Sequence, residues 1–479
     1  MKRLFLSLLS VCLVAATHAA KDYSYLYKDL PFKMEKVKVA SFPSRSVNLW
    51  DLKIKGDGKT MHTAKIQKAI DDLSKKGGGK LIVPSGTWLT GPLTLKDNVN
   101  LCISKGAILL FSPDIKDYPL IRTTYEGQPA ERHQSPITAD NCTNIAITGQ
   151  GIIDGNGQAW RPLKKEKVTD SQWKRLTGNG GYFRRQDLWA PAEKDLARPV
   201  MVHLMKCKKV LLEGVIFQNS PAWNIHPELC EDFVMDGVEV RNPSYAQNGD
   251  GLDLESCRNC LIVNTSFDVG DDGICLKSGK DEAGRKRGVP TENVLIDGCT
   301  VYASHGGFVI GSEMSGGVRN IKCTNCQFSG TDIGLRFKSC RGRGGVVENI
   351  WVENIAMINI LADAIRFNLY YGGKSAVEEL ADGSKRPAKI APEPLSEKTP
   401  SFRDIHIKNI TCNGALRALY FNGLPEMPVK QITLDDVHIT SDEPGELVYC
   451  EDIQMKRVTI DARNGKKLPE YYCNKISWK

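Results

Sequence analysis

The chain has 479 residues, and 41% of them are hydrophobic, which is enough for a large core in one long domain or in two to three ordinary ones. The net charge of +8 is mildly positive and fits a polyanionic partner. The basic residues are scattered, without a basic tail or a recognition-helix pattern, so we do not expect that partner to be nucleic acid.

The first predicted element is a signal peptide, residues 1–20, with the sequence "MKRLFLSLLSVCLVAATHAA". A basic start, an apolar run and two small residues at Ala19 and Ala20 predict export and cleavage near Ala20. A lipoprotein attached through Cys12 is the alternative, but the bulky Val11 disfavours it. No later segment is predicted to span a membrane. We therefore expect one exported domain, residues 21–479, that is secreted or periplasmic and acts as a monomer.

A helix is predicted next, at about residues 63–76, where "TAKIQKAIDDLSKK" places Ile66, Ile70 and Leu73 on one face. Strand-like segments follow, each with a polar residue and then alternating apolar positions. They begin 23 to 34 residues apart, at Lys209, Asp232, Asn259, Asn293, Asn320 and Asn349. Units of that length hold three short strands and must stack to bury their apolar faces. The sequence therefore predicts an all-β fold, a single-stranded right-handed parallel β-helix, with the helix covering its open end.

The polar stretch from about residue 372 to residue 400 is predicted to be an inserted loop rather than a domain boundary. The sequence also contains 15 cysteines, a high count for an exported protein. The pairs "CRNC" and "CTNC" resemble zinc ligands, but Cys299 and Cys326 hold equivalent places in the repeat. We expect these thiols to stack in the core, and we expect no metal or organic cofactor.

A second strand in each unit aligns on a glycine, in "GLDLESC", "GICLKSG", "GFVIGSE" and "GLRFKSC". Residues one and three places after each glycine are apolar and should point inward, whereas residues two and four places after it should point outward. Just before the glycines, Asp250 shares a place with Asp272, and Asp271 shares a place with His305. The predicted outward set contains Asp253, Glu255, Lys277, Arg336 and Lys338.

Stacking of the coils would bring these aspartates and the histidine to one edge of one sheet, with Arg336 and Lys338 on the next coil. Carboxylates that crowd together repel, and one of them tends to keep its proton. A protonated acid and an ionised carboxylate are the two groups that split a glycosidic bond, and a separation that admits a water gives inversion. Cations beside such a cluster suit an acidic sugar.

These motifs resemble those of the family 28 glycoside hydrolases, the polygalacturonases and their relatives. The resemblance runs from Gly56 to the final strands and rests on "NGDGLD" (248–253), "GDDGICLKSG" (270–279), "SHGGFVIGSE" (304–313) and "RFK" (336–338). It implies a β-helix enzyme that cleaves α-1,4-galacturonosyl linkages with inversion. The expected partner is then an acidic polysaccharide, such as pectin, polygalacturonate or its oligomers.

The same resemblance implies a role for each residue of the cluster. Asp271 is the general acid, and Asp250 and Asp272 hold and activate the water. His305 supports the protonation of the acid or contacts the substrate. The sugar carboxylate on the leaving-group side is bound by Arg336 and Lys338.

Further substrate contacts are predicted beside the cluster. Asp253 and Lys277 occupy outward positions, where they either touch a sugar or pair with each other. Trp223 either stacks on a sugar ring or packs at the edge of the sheet, with His226 beside it. Asn248 belongs to the first aspartate motif and is expected to help bind the substrate.

Several alternatives stay open. Gly249 and Ser304 stand where the family has threonine and glycine, which loosens the substrate assignment without removing a catalytic group. A rhamnogalacturonan or xylogalacturonan hydrolase is the alternative within the class. A calcium-dependent pectate lyase and a non-catalytic β-helix fibre are alternatives from other classes. The stretch 280–290 and the loop from residue 372 would wall off one end of the groove, which predicts exo-action.

Overall fold

The computed structural model describes residues 21–178, 180–193, 197–372 and 389–479, and the predicted signal peptide lies outside them. The described chain winds into a β-helix whose successive coils pair strand on strand in parallel. The prediction of an all-β, right-handed parallel β-helix is confirmed. Among the described residues, no helix is both long enough and apolar enough to cross a membrane.

Three parallel β-sheets form the faces of the β-helix and run along its length. Sheet 1 contains Leu93–Thr94, Ile137–Asp140, Val202–Met205, Ile225–Glu228, Leu252–Glu255, Asp272–Lys277, Gly306–Ile310 and Ile333–Lys338. Sheet 2 contains Ser46–Asn48, Gly79–Val83, Val99–Ile103, Thr143–Gly149, Lys208–Glu213, Glu231–Asp236, Arg258–Val263, Thr291–Asp297 and Val318–Thr324. Sheet 3 contains Asp57–Met61, Gly86–Thr90, Ala107–Phe111, Ile152–Asp154, Ile216–Gln218, Glu239–Arg241, Ser266–Asp268, Thr300–Tyr302 and Gln327–Ser329. Later strands continue these faces, several of them through a corner: Val346–Asn368, Ser401–Asn422, Val429–Ser441, Glu443–Val448, Cys450–Ala462, Glu470–Tyr471 and Asn474–Trp478.

The core is built from apolar columns that repeat from coil to coil. In sheet 1 Leu252 pairs with Ile274, Ile274 with Phe308, and Phe308 with Leu335, and all four side chains are fully buried. The glycine-aligned segments therefore have the register and the inward alternation that the sequence predicted. Burial of such columns is the main source of stability in a stacked repeat fold.

An asparagine ladder marks one corner of the coils. Asn259, Asn293, Asn320 and Asn349 all have positive φ, a conformation that asparagine tolerates better than most residues. From Asn293 onward, each Nδ2 donates to the Oδ1 of the asparagine on the preceding rung, at 3.2 Å, 2.9 Å and 2.7 Å along the series. The polar residue that opens each repeat is therefore the residue that turns the chain.

The N-terminal end is covered by helix α1, Thr63–Lys75, which confirms the predicted cap. Its buried residues are Ile66, Ala69, Ile70 and Leu73, and they pack on the first coils. The other α-helices of the described chain are α2, Asp170–Thr177, and α3, Asp281–Arg287. Short 3-10 turns occur at Ser24–Tyr27, Leu49–Leu52, Ile115–Asp117, Gly157–Ala159 and Lys165–Lys167.

Several additions decorate the outer face of sheet 1. One is an antiparallel hairpin, Leu120–Tyr125 and Gln128–His133, which we call the hairpin. Another is an insertion that carries α2 and a small antiparallel sheet of Leu163–Lys164, Tyr182–Arg185 and Leu188–Ala190. Of the predicted loop at 372–400, residues 389–400 have no helix or strand, and residues 373–388 lie outside the described part.

The cysteines of the described chain are all free, and most are buried. Cys299 and Cys326 immediately precede the paired residues Thr300 and Gln327, and both are buried. They occupy neighbouring rungs of the core, as their spacing predicted. These thiols serve as small apolar side chains in the stack.

Candidate active site

Coil stacking brings the predicted acidic residues together at the start of the sheet 1 strands. Asp250 and Asp272 lie two places before the paired residues Leu252 and Ile274. The His305 amide donates to the Asp271 carbonyl at 3.0 Å, so these two residues are also rung neighbours. Asp250, Asp271 and Asp272 each place a carboxylate oxygen within 4.8 Å of the others. The juxtaposition that the sequence predicted is therefore present.

Asp272 is the carboxylate that forms ion pairs with the two predicted cations, Arg336 and Lys338. Its side chain is fully buried, and it accepts from Lys338 Nζ at 2.6 Å and from Arg336 Nη1 at 3.0 Å. Burial opposes ionisation, but the charges of Lys338 and Arg336 outweigh it and hold the pKa of Asp272 below its ordinary value. Asp272 is thus an ionised carboxylate at neutral pH. A cation shared by the three aspartates would compete with these two side chains.

Asp250 has the opposite electrostatic character. It is 3% exposed, and its Oδ1 has no hydrogen-bond partner among the described residues. Burial, together with the charges of Asp271 and Asp253, raises the pKa of Asp250 well above its ordinary value. Of the three crowded carboxyls, Asp250 is therefore the one whose surroundings most favour the protonated form.

Asp271 is the most accessible member of the cluster, with 23% of its side chain exposed. Its Oδ1 lies 3.2 Å from His305 Nδ1. Burial tends to raise the pKa of Asp271, but the hydrogen bond with His305 outweighs burial and lowers it. The resting electrostatics therefore differ from the role of proton holder that the resemblance implies for Asp271.

Lys167 and Asp332 also reach His305, and sequence reasoning missed both. His305 Nε2 lies 3.1 Å from Lys167 Nζ and 3.8 Å from Asp332 Oδ2. Lys167 comes from the insertion, in the turn that follows Leu163–Lys164. The insertion lies outside the repeat, so no coil register could have placed Lys167 beside the cluster.

Asp253 and Lys277 point away from the core, but they are not open to solvent. Asp253 is 0% exposed and Lys277 is 3% exposed. Lys277 Nζ lies 2.8 Å from Glu313 Oε2 and 3.5 Å from Asp253 Oδ1. Burial raises the pKa of Asp253 to about 7, although Lys277 opposes this. Of the two interpretations that the sequence left open for Asp253 and Lys277, the structure favours an ion pair between them over contact with a sugar.

Trp223 and His226 are covered as well, and of the two predicted interpretations for Trp223 the structure favours packing over contact with a sugar ring. The Tyr125 ring of the hairpin lies 5.0 Å from the Trp223 ring, and Lys277 Nζ lies 4.7 Å from the same ring. His226 is fully buried and approaches Glu255 Oε2 at 2.9 Å. The sequence could not reveal the hairpin that lies above these two residues.

Asn248 lies at the edge of the cluster. Its Oδ1 accepts from Arg198 Nη2 at 3.0 Å, and Arg198 also donates to the Pro221 and Gln247 carbonyls. The loop before Asp250 is therefore tied to a neighbouring turn. Asn248 has positive φ, and its side chain anchors the loop that precedes Asp250.

The hairpin crosses sheet 1 on the N-terminal side of the aspartates and meets α3 on the far side. At its tip, Glu126 Oε2 lies 3.1 Å from Lys280 Nζ, and Arg287 Nη2 donates to the Gly127 carbonyl at 3.4 Å. Along its length, Thr124 donates to Glu228 on the sheet below. The hairpin and α3 together form a wall across the groove.

A buried polar network fills the space beneath the wall. Arg287 Nη1 lies 3.0 Å from Glu228 Oε1 and 2.9 Å from Glu255 Oε1. His203 stacks on His226 with centroids 4.8 Å apart and approaches Glu228 Oε2 at 3.2 Å. His203, His226 and Glu228 are close enough to share a metal ion. The Arg287 guanidinium already supplies the positive charge there, so the network fits an ion-pair cluster better than a metal site.

The groove stays open on the other side, where cations and tyrosines continue the sheet. Arg336 pairs in register with Arg366, and Arg366 with Tyr420. Arg366 and Arg417 both bind Asp363 and lie over the Tyr420 ring. The segments "IRFN" and "LYFN" repeat the alternation of "LRFK", so extending the sequence alignment by two coils would have found these positions.

The fold and the site together define a carbohydrate-cleaving enzyme of the parallel β-helix type, with paired acidic groups on an open groove. The model of glycosyl hydrolases family 28 matches residues 81–459, and this chain belongs to that family. The protein is therefore a glycoside hydrolase.

Known relatives are consistent with this assignment. The chain is 30% identical over 423 residues to a probable polygalacturonase of Vitis vinifera, covering 86% of this chain and 78% of that protein. It is 26% identical over 447 residues to an exo-poly-alpha-D-galacturonosidase of Dickeya chrysanthemi, covering 88% and 71%. Among solved structures, a hyperthermoactive exopolygalacturonase from Thermotoga maritima matches with a TM-score of 0.73 and 34% identity, covering 89% and 94%.

Proposed function

We propose that the protein is an exported, monomeric hydrolase of α-1,4-galacturonosyl linkages in pectin, and that it inverts the anomeric centre. One observation carries the proposal. The aspartate cluster is followed along the open groove by Arg336 and Arg366, which pair in register, and by Arg417, which shares Asp363 with Arg366. This cluster of arginines suits a chain of sugar acids. The names of the relatives support the same substrate.

In the proposed reaction Asp271 is the acid, because it is the only one of the three aspartates with a substantially exposed side chain. Its proton passes to the glycosidic oxygen as the bond from that oxygen to the anomeric carbon breaks. A water held by Asp250 and Asp272 forms the new bond from the opposite face, and a carboxylate of that pair takes its proton. When the bond breaks, Asp271 carries the proton and Asp250 is ionised, so that Asp250 can act as the base.

Arg336 and Lys338 are proposed to bind the sugar carboxylate on the leaving-group side. Both already neutralise Asp272, and the Tyr371 ring lies 5.9 Å from the Arg336 guanidinium carbon and 5.0 Å from Lys338 Nζ. Arg336 keeps 14% of its side chain exposed and Lys338 keeps 7%. Of the two, Arg336 therefore offers the sugar acid the larger accessible surface.

We also propose exo-action that starts from the non-reducing end. The wall of the hairpin and α3 lies on the side of the aspartates opposite to the proposed leaving-group cations. A bound chain would then abut the wall with its non-reducing end, so that only short units are released. The stretch 280–290, predicted to close the groove, contributes α3 and Lys280 to this wall.

The test of the reaction is product analysis on defined galacturonate oligomers with and without EDTA. Hydrolysis predicts new reducing ends, unaffected by the chelator, and proton NMR of the first product predicts the β-anomer. An unsaturated product whose absorbance disappears with EDTA would instead indicate a lyase. Cleavage only of rhamnose- or xylose-substituted chains would indicate the other hydrolases, and binding without turnover would indicate a fibre.

The test of exo-action uses a hexamer labelled at its reducing end. Attack from the non-reducing end predicts early unlabelled mono- or disaccharide and a labelled ladder that shortens in steps. The viscosity of polygalacturonate should fall slowly for each bond cleaved. A rapid fall in viscosity with mid-sized early products would overturn this part of the proposal and leave the hydrolysis itself standing.

A further inference from the structure

The open end of the groove continues for three coils beyond Arg336. In one column of sheet 1, Arg336 pairs in register with Arg366, Arg366 with Tyr420, and Tyr420 with Glu446. The neighbours of Tyr420 along its strand are fully buried in the core, so this column points outward. Parallel strands lie about 4.8 Å apart, which is close to the length of one pyranose unit. A chain that runs along the groove therefore presents a different sugar of its leaving group to each coil.

The second and third of these coils hold a surplus of positive charge. Arg366 and Arg417 both donate to Asp363, Arg417 through its Nε at 2.6 Å. The Asp363 side chain is fully buried, whereas both arginines are partly exposed. Two guanidinium groups share one carboxylate, so this part of the groove can accept the carboxylate of a sugar acid.

The fourth coil reverses the sign of the charge. Its strand, Glu443–Val448, places Glu443 in register with Arg417 and Glu446 in register with Tyr420. The Glu446 side chain is partly exposed, and its Oε1 lies 4.0 Å from Arg417 Nη1. Burial raises the pKa of Glu446 and the charges of Asp363 and Glu443 add to this effect, although Arg417 opposes it. Glu446 thus already lies among like charges, and a sugar carboxylate beside it would add another.

We propose that Arg366 and Arg417 bind a sugar acid of the leaving group and that Glu446 disfavours an acid on the unit that follows. The enzyme then selects its substrates by the charge of the sugar that reaches the fourth coil. A neutral unit, such as a methyl-esterified galacturonate, is preferred there over a free galacturonate. This inference rests on the proposed hydrolysis of galacturonan, and it makes Glu446 a residue that determines specificity.

The kinetic test measures kcat/KM at pH 7 for a series of oligogalacturonates that differ by one unit. The products of each digest show how many units lie on the leaving-group side. In the wild type kcat/KM should rise with each unit that reaches the arginines. It should fall about threefold, the size expected for one partly exposed charge pair, when a further unit reaches Glu446. In Glu446→Gln the fall should be absent, and in Glu446→Arg it should become a rise.

The matched control is Glu451→Gln. Glu451 belongs to the same coil as Glu446, but it pairs in register with Lys430 on the face that continues sheet 2. This variant should keep the length dependence of the wild type. Persistence of the fall in Glu446→Gln, or its absence at every length in the wild type, would overturn the inference and leave the hydrolysis standing. Cleavage of no oligomer would overturn both.

A second measurement needs no variant. It compares oligomers of equal length whose reducing-end unit is either a free galacturonate or its methyl ester. Where that unit reaches the coil of Glu446, the ester should raise kcat/KM about threefold. In the oligomer whose last unit lies at Arg366 and Arg417, the ester should lower kcat/KM, because it removes the carboxylate that the arginines bind. An ester effect of the same sign at both lengths would overturn the inference.

Discussion

One outward column of sheet 1 is covered by the hairpin at one end and open at the other. Under the hairpin the column contains His203, His226 and Asp253, each of them buried and close to an opposite or polar partner. Further along, the same column contains Arg336 and Arg366, whose side chains stay partly exposed. Equivalent strand positions thus serve the fold in the covered half, and in the open half we propose that they bind the substrate.

The difference between the two halves shows that burial under the hairpin, more than the direction of the side chain, decides the role of an outward-pointing charged residue. A buried charge needs partners from the protein itself, because water is not available to it. Arg287 provides that partner for Glu228 and Glu255 in the covered half. In the open half, an incoming sugar carboxylate can still compete for the exposed surface of the arginines.

The largest expected effect lies in the open half, at the proposed acid. Asp271→Asn should lower kcat by about 10³-fold, within the range for loss of a general acid, because an amide cannot supply the proton. The thermal midpoint should stay within a few degrees of wild type, since Asp271 is not part of the core. Reducing-sugar assays and a thermal melt measure the two quantities.

Retention of more than a tenth of wild-type activity in Asp271→Asn would contradict the assignment of the acid. The matched comparison is Asp250→Asn, which should also lower kcat. A variant of Asp271 that loses activity together with its melting transition would instead indicate a structural role for this residue.

The next effect lies in the covered half and concerns stability. Arg287→Met leaves Glu228 and Glu255 as buried carboxylates without their shared cation. We expect a loss of about 3 to 5 kcal/mol in the free energy of unfolding, the usual cost of breaking a buried ion pair. Urea unfolding measures this loss.

The control is Lys286→Met in the same helix, whose side chain is 75% exposed and pairs with Glu282. It should change the stability by less than about 1 kcal/mol. Equal stability of the two variants would break the distinction between the covered and open halves.

Sequence reasoning succeeded where a residue belongs to a repeated coil. The register that joins Asp250 to Asp272 follows from counting residues from each glycine, because parallel coils repeat the same hydrogen-bond pattern. The same counting placed Arg336 beside the cluster. The β-helix, its capping helix and the neighbouring aspartates were therefore all available from the sequence.

The rest depended on segments that have no repeat. The hairpin and the insertion leave the coil, cross the outer face of sheet 1 and cover or reach residues that are far away in sequence. Nothing in "TTYEGQ" indicates that Tyr125 will lie on Trp223, and nothing in "KKEK" indicates that Lys167 will reach His305. Such contacts depend on long-range geometry, for which one sequence carries no signal.

A smaller effect on stability is expected in the covered half when the pH is lowered. Burial works against ionisation of Glu228, but its hydrogen bond with His203 and the charge of His226 prevail and lower its pKa from 4.5 to about 2. A carboxyl with a depressed folded-state pKa stabilises the fold above pH 4.5, and this stabilisation is lost as the pH falls towards 2. The loss should reach at most about 3 kcal/mol, at ~1.4 kcal/mol per pH unit.

Hydrogen exchange at several pH values is the measurement, because it resolves the hairpin from the open half. Peptides from Leu120–His133 should lose protection between pH 4.5 and pH 2 before peptides from Ile333–Lys338. The two histidines act in opposite directions, since burial lowers the pKa of His203 whereas Glu255 outweighs burial and raises the pKa of His226. In Glu228→Gln the early loss should disappear, and its persistence would contradict the explanation.

The smallest expected effect is on substrate affinity in the open half, at Arg366. This arginine follows Arg336 in register and shares Asp363 with Arg417, so its removal leaves no carboxylate without a cation. Arg366→Gln should therefore fold normally and raise KM for oligogalacturonate about five- to tenfold, equivalent to ~1 kcal/mol of binding. The kcat should stay close to wild type, because the interaction is equal in the ground state and the transition state. Arg366→Lys should recover part of the affinity. If added salt raises the KM of the wild type but leaves the KM of Arg366→Gln unchanged, the contact between Arg366 and the substrate is electrostatic.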